Sequence, residues 1–387
     1  MTEFFAYEDL TWPEIARLAR ETPLVIPFGS GYDGRRLAEA MGHPARIGWL
    51  PSVPYGWQGS SVEVPAVVWG AYISNLTASL REDGFTRVMV LAPSDLPEVP
   101  GLSTHEGSSR LSLPCPNSQT ELLQSGDRGK VILIPIGHTE QHGHHLPLST
   151  DTLIIEAIAR GVAALAPGEA IALPVMPYGV STHRRSFAGT LNAGGRAFED
   201  LYLGVLDALV ARGHDRFYLL SGHGGNCSFL ANVVKYAGER HPRIFAAAAW
   251  LFLSGPHGVA ALERHRISPR GGMGHACELE TSLILHLRPD LVRMARVVDE
   301  TDFISTPSFF MDWIEGGALV ANPPWEDDTQ TGAYGAGSLG TAEHGKLWLQ
   351  AAIDEKVQHV AEIHEQHRRR EQRRTAGYGQ WGTGKSG

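Results

Sequence analysis

The chain has 387 residues, 43% of them hydrophobic, and a formal charge of −9. That length suits one large domain or two, and the acidic balance argues against a nucleic-acid-binding surface, which normally needs a basic excess. Three cysteines (Cys115, Cys227, Cys277) cannot build a disulfide framework, no stretch reaches the roughly 18 apolar residues of a membrane span, and the acidic start lacks a signal peptide's features, so the expectation is a soluble cytoplasmic protein.

In chain order, the unbroken apolar runs are "TPLVIPFG" (22–29), "TRVMVLAP" (86–93), "KVILIPIG" (130–137), "AIALPVMPYG" (170–179), "RFYLLSGHGG" (216–225) and "RIFAAAAW" (243–250). Continuous rather than alternating apolar character predicts parallel strands covered on both faces. Helical patterns fall between and after them: "TLIIEAIARGVAAL", "AFEDLYLGVLDALVARG", "NCSFLANVVKYAGERH" and "ETSLILHLRPDLV". The alternation predicts an α/β layered fold with a largely parallel sheet.

Two stretches echo each other. Val53–Asp95 and Met176–Gly224 both open on Pro-Tyr-Gly, continue into an amphipathic helix ending at Gly84 or Gly213, and place an arginine three residues later before an apolar strand. "PLVIPFGSGYDG" likewise echoes "VILIPIGHTEQHG". Residues 1–100 therefore read as a degenerate half-repeat. It has Tyr32 and Asp33 where the second copy has Glu140 and His142, and Ser94 in place of His223. Residues 101–129, rich in Pro, Ser and Gly, read as a linker or long loop. Residues 130–365 read as the catalytic domain, and 366–387, basic then glycine-rich, as a disordered tail.

In open α/β sheets, ligands bind beyond the carboxyl ends of the strands. "GHTEQHG", "SGHGGN" and "PYGVSTHRRSFAGT" all leave apolar strands at that edge. Glu140 and His142 lie two apart in the first of these loops. Asp151 opens a helix, where it can cap the helix or bind an ion. His223 is flanked by glycines, and "GGMGHACELETS" supplies His275, Glu278 and Glu280. Such oxygen and nitrogen donors suit Zn²⁺ or Mn²⁺. Two histidines and three carboxylates exceed what one catalytic zinc takes, and they suit two ions bridged by a carboxylate. Such a pair activates water for attack on a carbonyl. His275 is placed as the general acid, with Glu278 orienting it or shuttling the proton. Tyr178, His183, Arg184, Arg185 and Asn226 are candidates for the substrate pocket, the arginines suiting an anionic group. A non-enzymatic scaffold and a cysteine hydrolase built on Cys227 or Cys277 are the competing readings, and neither accounts for the carboxylate-rich set.

"IPIGHTEQHGHHLPLSTDT", "PYGVSTHRRSFAGT", "SGHGGN", "HACELETS" and "GSLGTAEHGKLWL" resemble the motifs of the creatininase family of metal-dependent hydrolases, over Lys130–Ala361. The resemblance implies a three-layer α/β/α domain, often assembled into rings, and hence a homo-oligomer. It implies divalent metal, two ions of Zn or Mn (Fe also suits), at Glu140, His142, Asp151 and His223, with Asp151 bridging. Creatininase proper has a glutamate where this chain has Gly225, which puts creatinine in doubt as the substrate and leaves Glu280 as the remaining carboxylate ligand. The implied reaction is hydrolysis of a C–N bond in a small amide, cyclic amide or formamide; hydrolysis of a cyclic ketone or C–C bond by the same site is the alternative. The resemblance does not extend to the first hundred residues.

Overall fold

The computed structural model describes residues 2–97, 108–117, 120–182, 186–313 and 318–377. The N-terminal part contains β1 (Glu3–Ala6), α1 (Trp12–Ala16), β2 (Leu24–Pro27), α2 (Gly34–Ala40), β3 (Arg46–Trp49), α3 (Ala66–Glu82), β4 (Val88–Pro93) and β5 (Ser108–Leu113). After it come β6 (Val131–Ile136), α4 (Thr150–Leu165), β7 (Ala170–Ala172), α5 (Gly195–Ala211), β8 (Arg216–Ser221), α6 (Gly224–Arg240) and β9 (Phe245–Ala248). The chain then adds α7 (Pro256–His265), β10 (Met273–His275), α8 (Glu278–Leu287), β11 (Tyr334–Gly335) and α9 (Ala342–Thr375).

Two wholly parallel sheets result, in the orders β1-β3-β2-β4-β5 and β7-β6-β8-β9. Apart from β1, the strands are placed alike in both: the first strand of each unit is flanked by its second and third, and the fourth lies at the edge. Even the Pro-Tyr-Gly segments correspond, since Phe28 bridges Val53 and Ile136 bridges Met176, each in parallel sense. The fold is thus the expected mixed α/β with helices covering parallel sheets.

Helix α3 packs on α5, and one apolar core runs through both units from Leu24 and Trp69 to Phe198 and Leu219. Hydrogen bonds tie the units further. The Tyr72 hydroxyl donates to Tyr178 O (2.7 Å), Gly189 N–H donates to the Asp83 carboxylate (2.7 Å), and Leu148 and Ser149 N–H donate to Leu10 and Glu8 O (3.0 Å each).

Two expectations need correction. Residues 108–113, assigned to a linker on composition, form β5, because β4 offers a complete parallel edge from Val88 to Pro93. The tail residues 366–375, expected to be disordered, continue α9. There the arginines find partners: Arg368 and Arg369 bond Glu365, Arg243 bonds Glu371 (2.7 Å), and the Arg370 guanidinium lies over the Phe245 ring. Strands β1 and β3 were not legible as apolar runs: both are short, β1 is partly exposed at the sheet edge, and β3 beside it begins on the exposed Arg46. Helix α8 stops at Leu287, before Pro289, as proline requires.

Candidate metal centre

Sheet order places the chemistry. β6 and β8 are neighbours, so the loops leaving their carboxyl ends emerge side by side. The first loop carries His138, Glu140 and His142, and the second carries His223, the residue preceding α6. Asp151 lies in the first turn of α4, where Ser149 is the N-cap residue. Its carboxylate therefore does not cap the helix. It faces the centre, with Oδ1 3.1 Å from His142 Nε2 and Oδ2 3.3 Å from His223 Nδ1. Two oxygens of one carboxylate, each set against a different histidine, are what a carboxylate shared by two ions requires.

Glu140 Oε1 lies 2.9 Å from His223 Nδ1, 3.9 Å from His142 Nε2 and 3.8 Å from His275 Nδ1. Glu280 Oε1 is 3.9 Å from His142 Nε2. All these side chains are buried. The antiparallel pair β10–β11 and the start of α8 bring in His275 and Glu280 together. Ala276 between them sits in the left-handed region (φ 51), unusual for a residue with a Cβ. Such strain at a turn between two functional side chains is characteristic of a built site.

The tautomers fit metal binding. His142 Nδ1 bonds Glu140 O (3.1 Å), His223 Nε2 bonds Val180 O (3.0 Å), and His275 Nε2 bonds Gln141 O (2.7 Å). A carbonyl only accepts, so each ring donates its outer N–H and presents its other nitrogen, a lone-pair donor when the ring is neutral, to the carboxylates. The electrostatics agree. Burial opposes charging of His142, but Asp151, Glu280 and Glu140 outweigh it and hold the pKa above the ordinary imidazole value. For His223 burial is likewise outweighed, by Glu140 and Asp151, which push it up to about 9. Burial would raise the Asp151 carboxyl, yet His142 and His223 hold it well below its usual range. Three buried carboxylates attract cations strongly, and without metal the protons on histidine supply the positive charge.

The backbone at Gly225 leaves no room for a side chain. A Cβ there would lie 2.4 Å from both His223 Nε2 and Val180 O, inside the bond that orients His223. No glutamate fits, and Glu280 occupies the cavity wall instead. That cavity, about 740 Å³, opens from Glu140, Asp151, His223, His275 and Glu280. Its outer walls are largely apolar: Val180, Phe229, Trp250, Leu251, Met311 and Trp313.

Other sequence-derived assignments are not brought to the centre. The Glu278 carboxylate accepts from Ile267 N–H (2.9 Å) and Ser268 N–H (2.7 Å), so it braces a loop and neither orients His275 nor shuttles its proton. The Tyr178 hydroxyl donates to Pro51 O (2.5 Å) and joins the two units. Asn226 is a buried clip, with Oδ1 accepting from Val180 N–H (2.9 Å) and Nδ2 donating to Gly137 O (3.3 Å). His183, Arg184 and Arg185 lie outside the described residues. Sequence reasoning missed His138, although it sits in the quoted motif. It also missed the apolar wall residues, three of them aromatic (Phe229, Trp250, Trp313) and three aliphatic or thioether (Val180, Leu251, Met311).

The Creatininase family (creatinine amidohydrolase) matches residues 117–360. The mycofactocin precursor peptide peptidase of Mycobacterium tuberculosis is 32% identical over 240 residues, covering 59% of this chain and 84% of that protein. The creatinine amidohydrolase of Pseudomonas putida is 30% identical over 185 residues, covering 44% and 68%. Among solved structures, "Creatininase Mn" superposes with a TM-score of 0.50 at 25% identity, covering 62% of this chain and 92% of that one.

Proposed function

We propose that this chain, which belongs to the creatininase family, hydrolyses a C–N bond of a small amide, cyclic amide or formamide at a centre for two divalent ions. The observation that carries the reading is the Asp151 carboxylate, one oxygen toward His142 and the other toward His223. One ion would be held by His142, Asp151 and Glu280, the other by His223, Asp151 and Glu140. The three carboxylates leave a formal charge of minus three when the imidazoles are neutral. One divalent ion does not cancel it, and two exceed it by a single charge. Zinc and manganese both suit this donor set, and manganese appears in the name of a structural relative. Bound there, such ions lower the pKa of water and polarise a carbonyl.

The chain's own residues do the rest. His275 keeps its Nε2 proton on Gln141 O (2.7 Å), so Nδ1 can accept a proton on the cavity side and return it to the departing nitrogen. The buried site excludes bulk water, and the apolar walls receive the non-reacting part of the amide. The cavity is far larger than creatinine needs, and two relatives differ in substrate by name: one a peptide, the other creatinine. Residues 1–100 read as a degenerate copy of the catalytic unit's first half, a reading that the strand order supports once β5 is counted as the fourth strand, with its chemistry replaced. Asp33 there caps α2 by accepting from Arg35 N–H (2.8 Å).

The test is metal content of the purified protein by elemental analysis, with Asp151→Ala alongside, followed by turnover of a panel of small amides, lactams and formamides. About two equivalents in the parent and marked loss in the variant are expected. Full metal and full turnover in Asp151→Ala would sink the proposal. His275→Ala should keep its metal and lose on the order of 10²–10⁴ in kcat.

A further inference from the structure

His142, His223 and His275 each give an N–H to a backbone carbonyl. His138 does the reverse: Gly179 N–H donates to its Nδ1 at 2.9 Å. A neutral imidazole that accepts at Nδ1 carries its proton on Nε2. That Nε2 points at Glu140, 3.7 Å from Oε2. A nitrogen that keeps its proton is not a metal ligand.

We propose that His138, although it clusters with Glu140 and His223 as a ligand would, is a positioning residue for the metal centre. Its Nε2–H attracts Glu140 Oε2, and so Oε1, 2.9 Å from His223 Nδ1, becomes the oxygen turned to the ion. At 3.7 Å the contact is longer than a full hydrogen bond. It acts as an N–H dipole beside a buried carboxylate, where low dielectric makes the steering strong. The same ring lies against His223, centroids 4.4 Å apart and planes tilted by 34°, and so limits rotation of that ligand as well. Gly179 belongs to the loop after β7, so one side chain registers three loops of the site against each other. The proposal rests on the two-ion reading above.

The experiment measures zinc stoichiometry by elemental analysis and zinc affinity by competition with a chromophoric chelator, on the full chain. His138→Phe keeps a ring against His223 but has no nitrogen. His138→Gln offers one acceptor for Gly179 N–H and one donor for Glu140. Unchanged stoichiometry is expected in both, with affinity weakened on the order of 10- to 100-fold in His138→Phe and largely recovered in His138→Gln. Loss of a whole equivalent in His138→Phe, as His142→Ala should show, would make His138 a ligand and overturn the proposal. Equal affinity in all three proteins would reduce it to packing and overturn it too.

A measurement on the parent protein guards against a variant that fails to fold. Long-range proton–nitrogen correlation spectra of the zinc-loaded, histidine-labelled chain should place the His138 proton on Nε2. A proton on Nδ1 would refute the assignment. A parent chain that takes up no zinc would instead sink the two-ion reading itself, before any variant is compared.

Discussion

In the metal-free protein, held in excess chelator, stability should fall as pH rises through the neutral range into the alkaline. Burial alone would make His223 hard to protonate. Glu140 at 2.9 Å and Asp151 at 3.3 Å nonetheless raise its pKa to about 9. In the unfolded chain the imidazole returns to about 6.5. The folded state thus holds the proton more tightly, and protonation favours folding. That contribution is complete below about pH 6.5 and is lost as pH climbs through about 9. At about 1.4 kcal/mol per pH decade the interval is worth about 3 kcal/mol. The lowered Asp151 carboxyl reflects the same attraction from its other partner, so it is counted once. Glu8, which burial pushes up to about 7, adds a slope of the same sign at lower pH, and His142, held above the ordinary imidazole value by Asp151, Glu280 and Glu140, adds to the slope of His223 above it. The assay is urea unfolding followed by the fluorescence of the nine tryptophans, from about pH 7 to pH 9.5. Zinc-saturated protein should lose the slope, because the metal takes the nitrogen that the proton held. Metal-free stability that stays flat or rises over this range would refute the electrostatic account of the centre.

Glu278→Ala should cost about 3 kcal/mol in chemical denaturation, since it strands two backbone N–H groups that bond a charged acceptor. Its metal content should match the parent's, and a lost equivalent would return Glu278 to the centre. Gly225→Ala should lower zinc affinity and destabilise by about 1–3 kcal/mol, because the new Cβ meets His223 Nε2 and Val180 O. Parent-like zinc binding in that variant would show that the His223–Val180 bond is dispensable. A chain beginning at residue 114 should aggregate on expression, since it bares the α5 face that α3 covers and cuts a continuous core. A soluble, monodisperse truncation would show that the two units fold independently.

The sequence by itself determined the layered α/β class, the six apolar strands and the cluster of Glu140, His142, Asp151, His223 and Glu280, proposed above as the ligand set. It could do so because that information is local. A buried parallel strand must be continuously apolar, and the loop at its carboxyl end must carry whatever the site needs. The matching strand orders also rest on a pattern visible beforehand, the paired Pro-Tyr-Gly segments and the helices behind them. Composition misled where long-range partners decide. "SSRLSL" became a strand only because β4 lay open beside it, and the arginine-rich end of α9 gained order from ion pairs and from the surface of β9.

Tertiary structure alone decided which polar groups face the centre. Glu278 and Glu280 are two apart on α8, and two helical residues turn the side chain through about 200°, so one carboxylate reaches the histidines and the other braces a loop. Tyr178 and Asn226 stand in motif loops, yet their polar atoms are claimed by backbone groups of neighbouring segments. The proton positions on four histidines follow from whether each outer partner is a carbonyl or an N–H. For three of them the partners, at Val180, Gln141 and Gly179, belong to chain segments that only folding brings together, while His142 bonds the nearby Glu140 O.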